Sequence, residues 1–116
     1  MARIRSLKPS FWTDERVIDC TRDARLLLLG MISHADDDGR LVGSGPALIG
    51  VVFPHDDVTV RQVERWRDEL ADVGLICVYA AGRGTYVSLP GWGKHQRIPK
   101  RYPSTLPTPP ELAVGS

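Results

Sequence analysis

The segment at residues 59–74 constrains the fold of this chain more than any other. Thr59 has the side chain of a helix N-cap, and the apolar residues that follow recur with a period near 3.6, as on one face of an α-helix. Gly74 suits the position just after a helix end. The apolar stripe consists of Val60, Val63, Trp66, Leu70 and Val73. Such a stripe has to be buried, so the chain must supply other elements to cover it.

Two further segments predict helices that can cover this stripe. Residues 22–35 follow Thr21, another N-cap, and their apolar residues form one continuous helical stripe. A short apolar helix is expected over residues 45–53, with Pro46 in its first turn. Between the two, residues 40–42 have room for only a very short strand.

A β-hairpin completes the pattern. Residues 75–80 and 85–90 read as two short strands, and the glycines of "AGRG" between them suit a tight turn. The predicted order is helix, short strand, helix, helix and hairpin, and all of these elements can share one small core. This is the order of a winged helix-turn-helix, an α+β fold. Its third helix usually enters the DNA major groove, and its hairpin is the wing.

A chain of 116 residues has room for one domain of this kind. We expect a basic N-terminal arm over residues 1–20, the winged-helix domain over residues 21–92, and a basic and then proline-rich tail over residues 93–116. The tail has little to bury and reads as an extended linker. No apolar run approaches the ~20 residues that a membrane-spanning helix needs, so we expect a cytoplasmic protein.

The net charge of +1 conceals a marked asymmetry along the chain. Residues 1–13 carry three cations and no acid, and residues 92–116 carry four cations against one acid. The middle carries eight arginines against thirteen carboxylates. This distribution predicts that the two ends contact a polyanion.

The candidate DNA contacts lie on the third helix, at the hairpin tip and in both ends. Arg61 and Arg65 are one helical turn apart, and with Gln62 they can hydrogen-bond to bases or phosphates. Acids share this helix, so a solvated and salt-bridged helix face is the alternative interpretation. Arg83 occupies the hairpin tip. The other candidates are Arg3, Arg5, Lys8, Lys94, His95, Arg97, Lys100 and Arg101.

The C-terminal strip "WGKHQRIPKR" is expected to lie on the DNA side of the molecule. It directly follows the second hairpin strand, on the edge where a wing would face DNA. Its four cations can neutralise about four phosphates. For this strip, for the N-terminal arm and for Arg83, a merely solvated surface is the alternative.

No catalytic constellation is present in the sequence. "HADDDGR" gathers His34 and three aspartates, but the twelfth position of a calcium loop that starts at His34 is Gly45, so an acidic turn ending a helix is favoured. The cysteines and histidines lack zinc-ligand spacing, and neither a phosphate-binding glycine loop nor a nucleophile elbow occurs. We expect no enzymatic activity, no metal and no cofactor.

Four stretches occur in the same order as in a known family: "ARIRSLKPSFWTDERV", "ARLLLLGMISHADDDGRL", "FPHDDVTVRQVERWRDELADVGLI" and "KHQRIPKR". They resemble the N-terminal domains of bacteriophage replisome-organiser and DnaD-like replication proteins, and of helix-turn-helix DNA-binding proteins of actinobacterial phages. The resemblance spans residues 2–101. It implies a winged-helix domain that binds double-stranded DNA during phage replication initiation and helps to recruit host or phage replication proteins.

Two alternative functions stay open. The first is a winged helix whose acidic middle binds or inhibits a host protein. The second is a small transcriptional regulator or excision factor. Many winged helices form homodimers, but no heptad pattern in this chain demands one.

Overall fold

The three helices and the hairpin expected from the sequence are present in the computed structural model, which describes residues 3–110. In chain order the elements are a 3-10 helix at Pro9–Thr13, α1 at Glu15–Ile18, α2 at Arg22–His34, β1 at Arg40–Val42, α3 at Gly45–Val52, α4 at Val60–Asp72, β2 at Cys77–Ala81, β3 at Gly84–Ser88 and α5 at Trp92–His95. The 3-10 helix, α1 and α5 were not predicted, because elements this short leave no periodic stripe. None of these helices is long and apolar enough to cross a lipid bilayer.

Each long helix begins at a side-chain cap. The Thr21 hydroxyl accepts a hydrogen bond from an amide in the first turn of α2, and the Ser44 hydroxyl does the same for α3, which carries Pro46 in its first turn. Helix α4 begins with a reciprocal capping box between Thr59 and Gln62. These bonds satisfy amides that have no partner within the helix, and they fix where each helix starts.

The three strands form one antiparallel sheet in the order β1-β3-β2. Leu41 of β1 pairs with Val87 of β3, which pairs in turn with Val78 of β2. Leu41 and Val87 are buried in the core that the sheet shares with the helices. The next row, Arg40, Ser88 and Cys77, therefore lies on the opposite, outer face of the sheet.

The core joins the predicted stripes of α2 and α4 to α3 and the sheet. Leu27, Met31, Leu48, Val63 and Leu70 are fully buried, and they come from all three long helices. The α4 stripe is confirmed except at its first position. Val60 is 41% exposed, although it lies close to Gly45 at the start of α3.

The proline-rich segment lies on the fold as a C-terminal strap, residues 103–110, although an extended tail was expected. The Tyr79 hydroxyl donates to the Pro107 carbonyl at 2.7 Å, and Arg40 donates to the Leu106 carbonyl at 3.4 Å. Pro109 is fully buried. The strap thus crosses the outer face of the sheet. Since proline has no amide hydrogen, a strap of this composition can be buried with few unsatisfied donors.

Gly39 is expected to tolerate no side chain. Its φ is +76°, and an added Cβ would lie 2.7 Å from Cγ of the buried Trp92 ring. We expect Gly39→Ala to lower the free energy of unfolding by about 1–3 kcal/mol, as measured by urea denaturation. Gly50→Ala is the matched control, because Gly50 lies in α3 with nothing within 4 Å of the added atom. It should be neutral or stabilise by up to about 1 kcal/mol. Equal stability of the two variants would contradict this assignment.

Candidate nucleic-acid interface

Helix α4 presents two arginines to solvent in its N-terminal half. Burial of Val63 and Leu70 fixes the rotation of the helix, and Arg61 and Arg65 lie exposed. Neither of their side chains forms an ion pair or a hydrogen bond with any other residue between 3 and 110. Both guanidinium groups are therefore available to an anionic partner.

Two acids of α4 bind partners other than Arg61 and Arg65. Glu69 accepts hydrogen bonds from the backbone amide and the hydroxyl of Thr21, at the start of α2. Asp68 pairs with Arg67 at 3.1 Å, and Arg67 also donates to the carbonyl oxygen of Gly43 at 2.9 Å. The contacts of Glu69 with Thr21 and of Arg67 with Gly43 hold α4 in place. Arg61 and Arg65 have no carboxylate partner within residues 3–110.

Gln62 has a structural role instead of the predicted role in base recognition. Its Oε1 accepts from the Thr59 amide at 2.9 Å, while the Thr59 hydroxyl accepts from the Gln62 amide at 3.1 Å. This is the capping box of α4, so we remove Gln62 from the candidate contacts. The Thr-x-x-Gln spacing is itself a capping-box signature, and it was the sequence signal for this role.

The hairpin tip places Arg83 in solvent. Ala81 pairs with Gly84, which leaves a turn of two residues, Gly82 and Arg83. Gly82 has a φ of +60°, the conformation that the first central position of such a turn requires. Arg83 is exposed, and its side chain forms no hydrogen bond or ion pair with the rest of residues 3–110.

The hairpin tip and the N-terminal half of α4 lie at the same end of the sheet, the hairpin end. The Gly43 amide, just after β1, donates to the carbonyl of Thr85 near the tip at 2.9 Å. The carbonyl of Gly43 in turn accepts from Arg67 of α4. A Cβ on Gly45 would touch Val60, which confirms that the start of α4 lies beside this turn. Arg61, Arg65 and Arg83 therefore lie towards the same end of the sheet.

The basic N-terminal arm lies at the opposite end of the sheet. The acidic loop, Asp36–Asp38, is located there, because the Leu89 amide after β3 donates to the Gly39 carbonyl. Arg5 donates to Asp37 Oδ1 at 3.0 Å and to the Ala35 carbonyl at 2.9 Å, and only 4% of its side chain is exposed. Arg3 pairs with the other oxygen of Asp37 at 3.4 Å. A guanidinium as buried as that of Arg5 does not reach a phosphate, so we remove Arg5 from the candidate contacts.

The C-terminal segment binds the same acidic loop. The amides of Tyr102 and Ser104 donate to Asp37 and Asp38 at 2.9 and 2.8 Å. Arg101 pairs with Asp38, and the Ser104 hydroxyl donates to Asp36. The loop that the sequence indicated only as the end of a helix therefore ties both ends of the described chain together.

These contacts favour the ionised forms of Asp37 and Asp38. The Tyr102 amide, then Arg5 and Arg3, lower the pKa of Asp37 against the opposing effect of its burial. Burial would raise the pKa of Asp38, but the Ser104 amide and Arg101 together outweigh it and lower that pKa. Arg3, Arg5 and Arg101 are consequently compensated within the fold.

Five candidates from the two ends keep exposed side chains: Lys8, Lys94, His95, Arg97 and Lys100. Lys8 Nζ donates to the backbone carbonyl of Lys94 at 3.1 Å, and Lys100 Nζ lies 5.8 Å from the centroid of the Tyr102 ring. Neither contact neutralises charge. These side chains form a second cationic region.

The expectation that the C-terminal strip lies beside the hairpin tip is wrong. The strip follows Ser88, at the end of β3 remote from the tip, and the Trp92 indole donates to the Asp37 carbonyl at 3.0 Å. A strand of five residues separates the tip from that end by about 16 Å. The two cationic regions therefore lie at opposite ends of the sheet.

No group of three His, Cys, Asp or Glu side chains within residues 3–110 is arranged to hold a metal ion. The acidic loop instead accepts hydrogen bonds from amides and pairs with arginines. In comparisons with known proteins, no family model, curated protein or solved structure matches the chain. Its function is therefore argued from its own geometry.

Proposed function

We propose that this protein is a winged-helix protein that binds double-stranded DNA through the N-terminal half of α4 and through Arg83. One observation carries the proposal. Arg61, Arg65 and Arg83 are exposed, have no carboxylate partner among residues 3–110, and lie at the same end of the sheet. Three uncompensated cations on a helix and a thin hairpin complement the negative charge of a phosphate backbone.

The topology supports this proposal. Helices α2, α3 and α4, with β1 after the first of them and the β2–β3 hairpin after the last, follow the order of a winged helix. In that fold the helix before the hairpin enters the major groove, which is about 12 Å wide and admits an α-helix. Helix α4 holds that position.

The spacing of the arginines suits groove binding. Arg61 and Arg65 are four residues apart, which places them about 6 Å apart along the helix axis. Each guanidinium can bind a guanine edge through two hydrogen bonds or can bind a phosphate. Arg83, on a turn of two residues, would contact the backbone beside the groove.

The test is a titration of a fluorescein-labelled random-sequence duplex at fixed salt, read by anisotropy. We expect Arg61→Glu and Arg65→Glu, singly, to weaken binding by roughly 5- to 150-fold, the cost of about 1–3 kcal/mol for losing an arginine contact. Arg83→Glu should act in the same direction.

Arg97→Glu is the matched control, because Arg97 is exposed, carries the same charge and lies in the second cationic region. It should leave duplex affinity within about twofold. Equal losses in Arg97→Glu and Arg65→Glu would contradict the assignment of the interface to the hairpin end. No change in Arg61→Glu and Arg65→Glu would overturn the proposal itself.

We further propose phage replication initiation as the setting, with replication proteins as partners, on the strength of the sequence resemblance. A footprint on phage DNA tests this setting against a transcriptional role. Protection within a replication origin supports it, and protection confined to promoters contradicts it.

A further inference from the structure

A cavity of about 360 Å³ lies among the N-terminal segment, α2 and α5. We propose that it is the docking site for an acidic segment of a partner protein that inserts a bulky apolar side chain. The proposal goes beyond DNA binding and does not depend on it. The apolar side chains around the cavity include Leu7, Phe11, Val17, Leu28, Ile32 and Leu75.

The size and lining of the cavity fit an apolar anchor. An apolar cavity of about 150 Å³ already accepts a benzene ring, and sites for small ligands begin near 300 Å³. The cavity is therefore large enough for one or two bulky side chains. Leu7 is 42% exposed, and burial of the rest of its surface would favour binding.

The positive charge at the rim of the cavity favours a partner that carries negative charge. Lys8 lines the cavity, and within the described part of the chain its ammonium group bonds only to the Lys94 carbonyl and has no carboxylate partner. Lys94 and His95 of the adjoining helix α5 are also exposed. Arg16 adds no net charge to the rim, because it pairs with Asp14 at 3.0 Å.

An acidic peptide fits this combination better than a nucleic acid does. Phosphates would pair with the lysines but would leave the apolar part of the cavity unfilled. A peptide with carboxylates on either side of an apolar side chain satisfies both. The cavity is also lined by Gly74 and Leu75, at the end of α4 remote from Arg61. Gly74 follows Arg61 by thirteen residues, which corresponds to about 20 Å of helical rise. The DNA interface and the cavity are therefore far enough apart to be occupied at once.

The test uses a fluorescein-labelled synthetic peptide of alternating Asp and Glu with Leu and Phe at its centre, titrated with the full chain. We expect saturable binding that weakens at least about tenfold when Leu and Phe are replaced with alanine, since anchors of this kind carry most of the energy of an interface. Replacing the acids with lysines should abolish binding.

Three variants locate the site. Ser10→Trp fills the cavity from its exposed rim, and Lys8→Glu reverses the charge there. Each should weaken peptide binding at least about tenfold, with an unchanged circular dichroism spectrum. Arg83→Glu is the charge-matched control and should leave peptide binding within about twofold. If Ser10→Trp does not fold, Leu7→Asp at the mouth of the cavity replaces it.

The outcomes separate this proposal from the one on DNA. Absence of saturable binding, or binding insensitive to both the alanine anchors and the filled cavity, would overturn the docking site. A single-stranded or duplex oligonucleotide could instead displace the peptide. If it does so, and if Lys8→Glu prevents this displacement, the cavity rim is a nucleic-acid site. Unchanged duplex affinity in Lys8→Glu, together with lost peptide binding, is the expected result.

Discussion

Replacing Asp37 with alanine is expected to lower the Tm by on the order of 10–15 °C. Asp37 pairs with Arg5 at 3.0 Å, with 4% of each side chain exposed, and it also accepts from the Tyr102 amide at 2.9 Å. Loss of one member of a buried ion pair leaves the other charge without compensation, which is strongly destabilising, and a domain of this size converts that loss into a large shift of Tm. Trypsin should also cleave both ends faster, because both lose the same carboxylate.

The control is Asp68→Ala, because Asp68 pairs with Arg67 but is 61% exposed. Exposed pairs contribute about 0–1 kcal/mol, so the Tm of this variant should fall by at most a few degrees.

The stability that Asp37 provides should depend on pH, because its pKa is lowered in the folded protein. This contribution to the free energy of unfolding is complete above about 3.9, the pKa of an unfolded aspartate, and it is lost as the pH falls through the lower folded value. The difference between wild type and Asp37→Ala should therefore be full at pH 7 and shrink below pH 4. A similar Tm for Asp37→Ala and Asp68→Ala at pH 7 would contradict this view of the acidic loop.

Duplex affinity is expected to fall by only about 40-fold when monovalent salt rises from about 50 to 200 mM. Each phosphate that a cation neutralises contributes about −0.9 to the slope of log affinity against log salt, so Arg61, Arg65 and Arg83 together give about −2.7. The measurement is the duplex titration repeated at four or more salt concentrations.

The same measurement tests the arrangement that the sequence alone predicted. If all the cations at both ends also contacted phosphates, ten contacts would give a slope near −9 and a loss above about 10⁵-fold over that range. A slope steeper than about −5 would show that the second cationic region contacts the duplex. It would then count against the assignment of DNA binding to the hairpin end alone.

The elements of the fold were predictable because their signals are local. Thr21 and Thr59 cap helices at the expected places, and the stripe from Ala24 to Met31 is buried as its period predicts. The turn at Gly82 likewise follows from the glycines around Arg83. The strap was not predictable, since Pro109 is buried by the sheet and not by any pattern in its own segment.

The candidate site was only partly predictable, because its charges are paired over long separations. Arg5 and Asp37 are 32 residues apart, and Tyr102 and Asp37 are 65 apart, so no local pattern links them. The one sequence signal of such pairing was an excess of acids in the middle of the chain together with an excess of cations at its two ends. This asymmetry is equally consistent with ends that bind a polyanion and with ends that bind an acidic loop of the same chain. On α4, the exposure of Arg61 and Arg65 did follow from their place off the apolar stripe.

The acidic loop also sets the order in which the molecule can be completed during synthesis. Tyr102 and Ser104, which supply amides to Asp37 and Asp38, leave the ribosome after every residue from α1 to α5. A nascent chain can form its helices and its hairpin first, but Asp37 and Asp38 gain these two amide donors only when residues 102–104 have emerged. The acidic loop therefore reaches its full set of partners later than the helices and the hairpin can form.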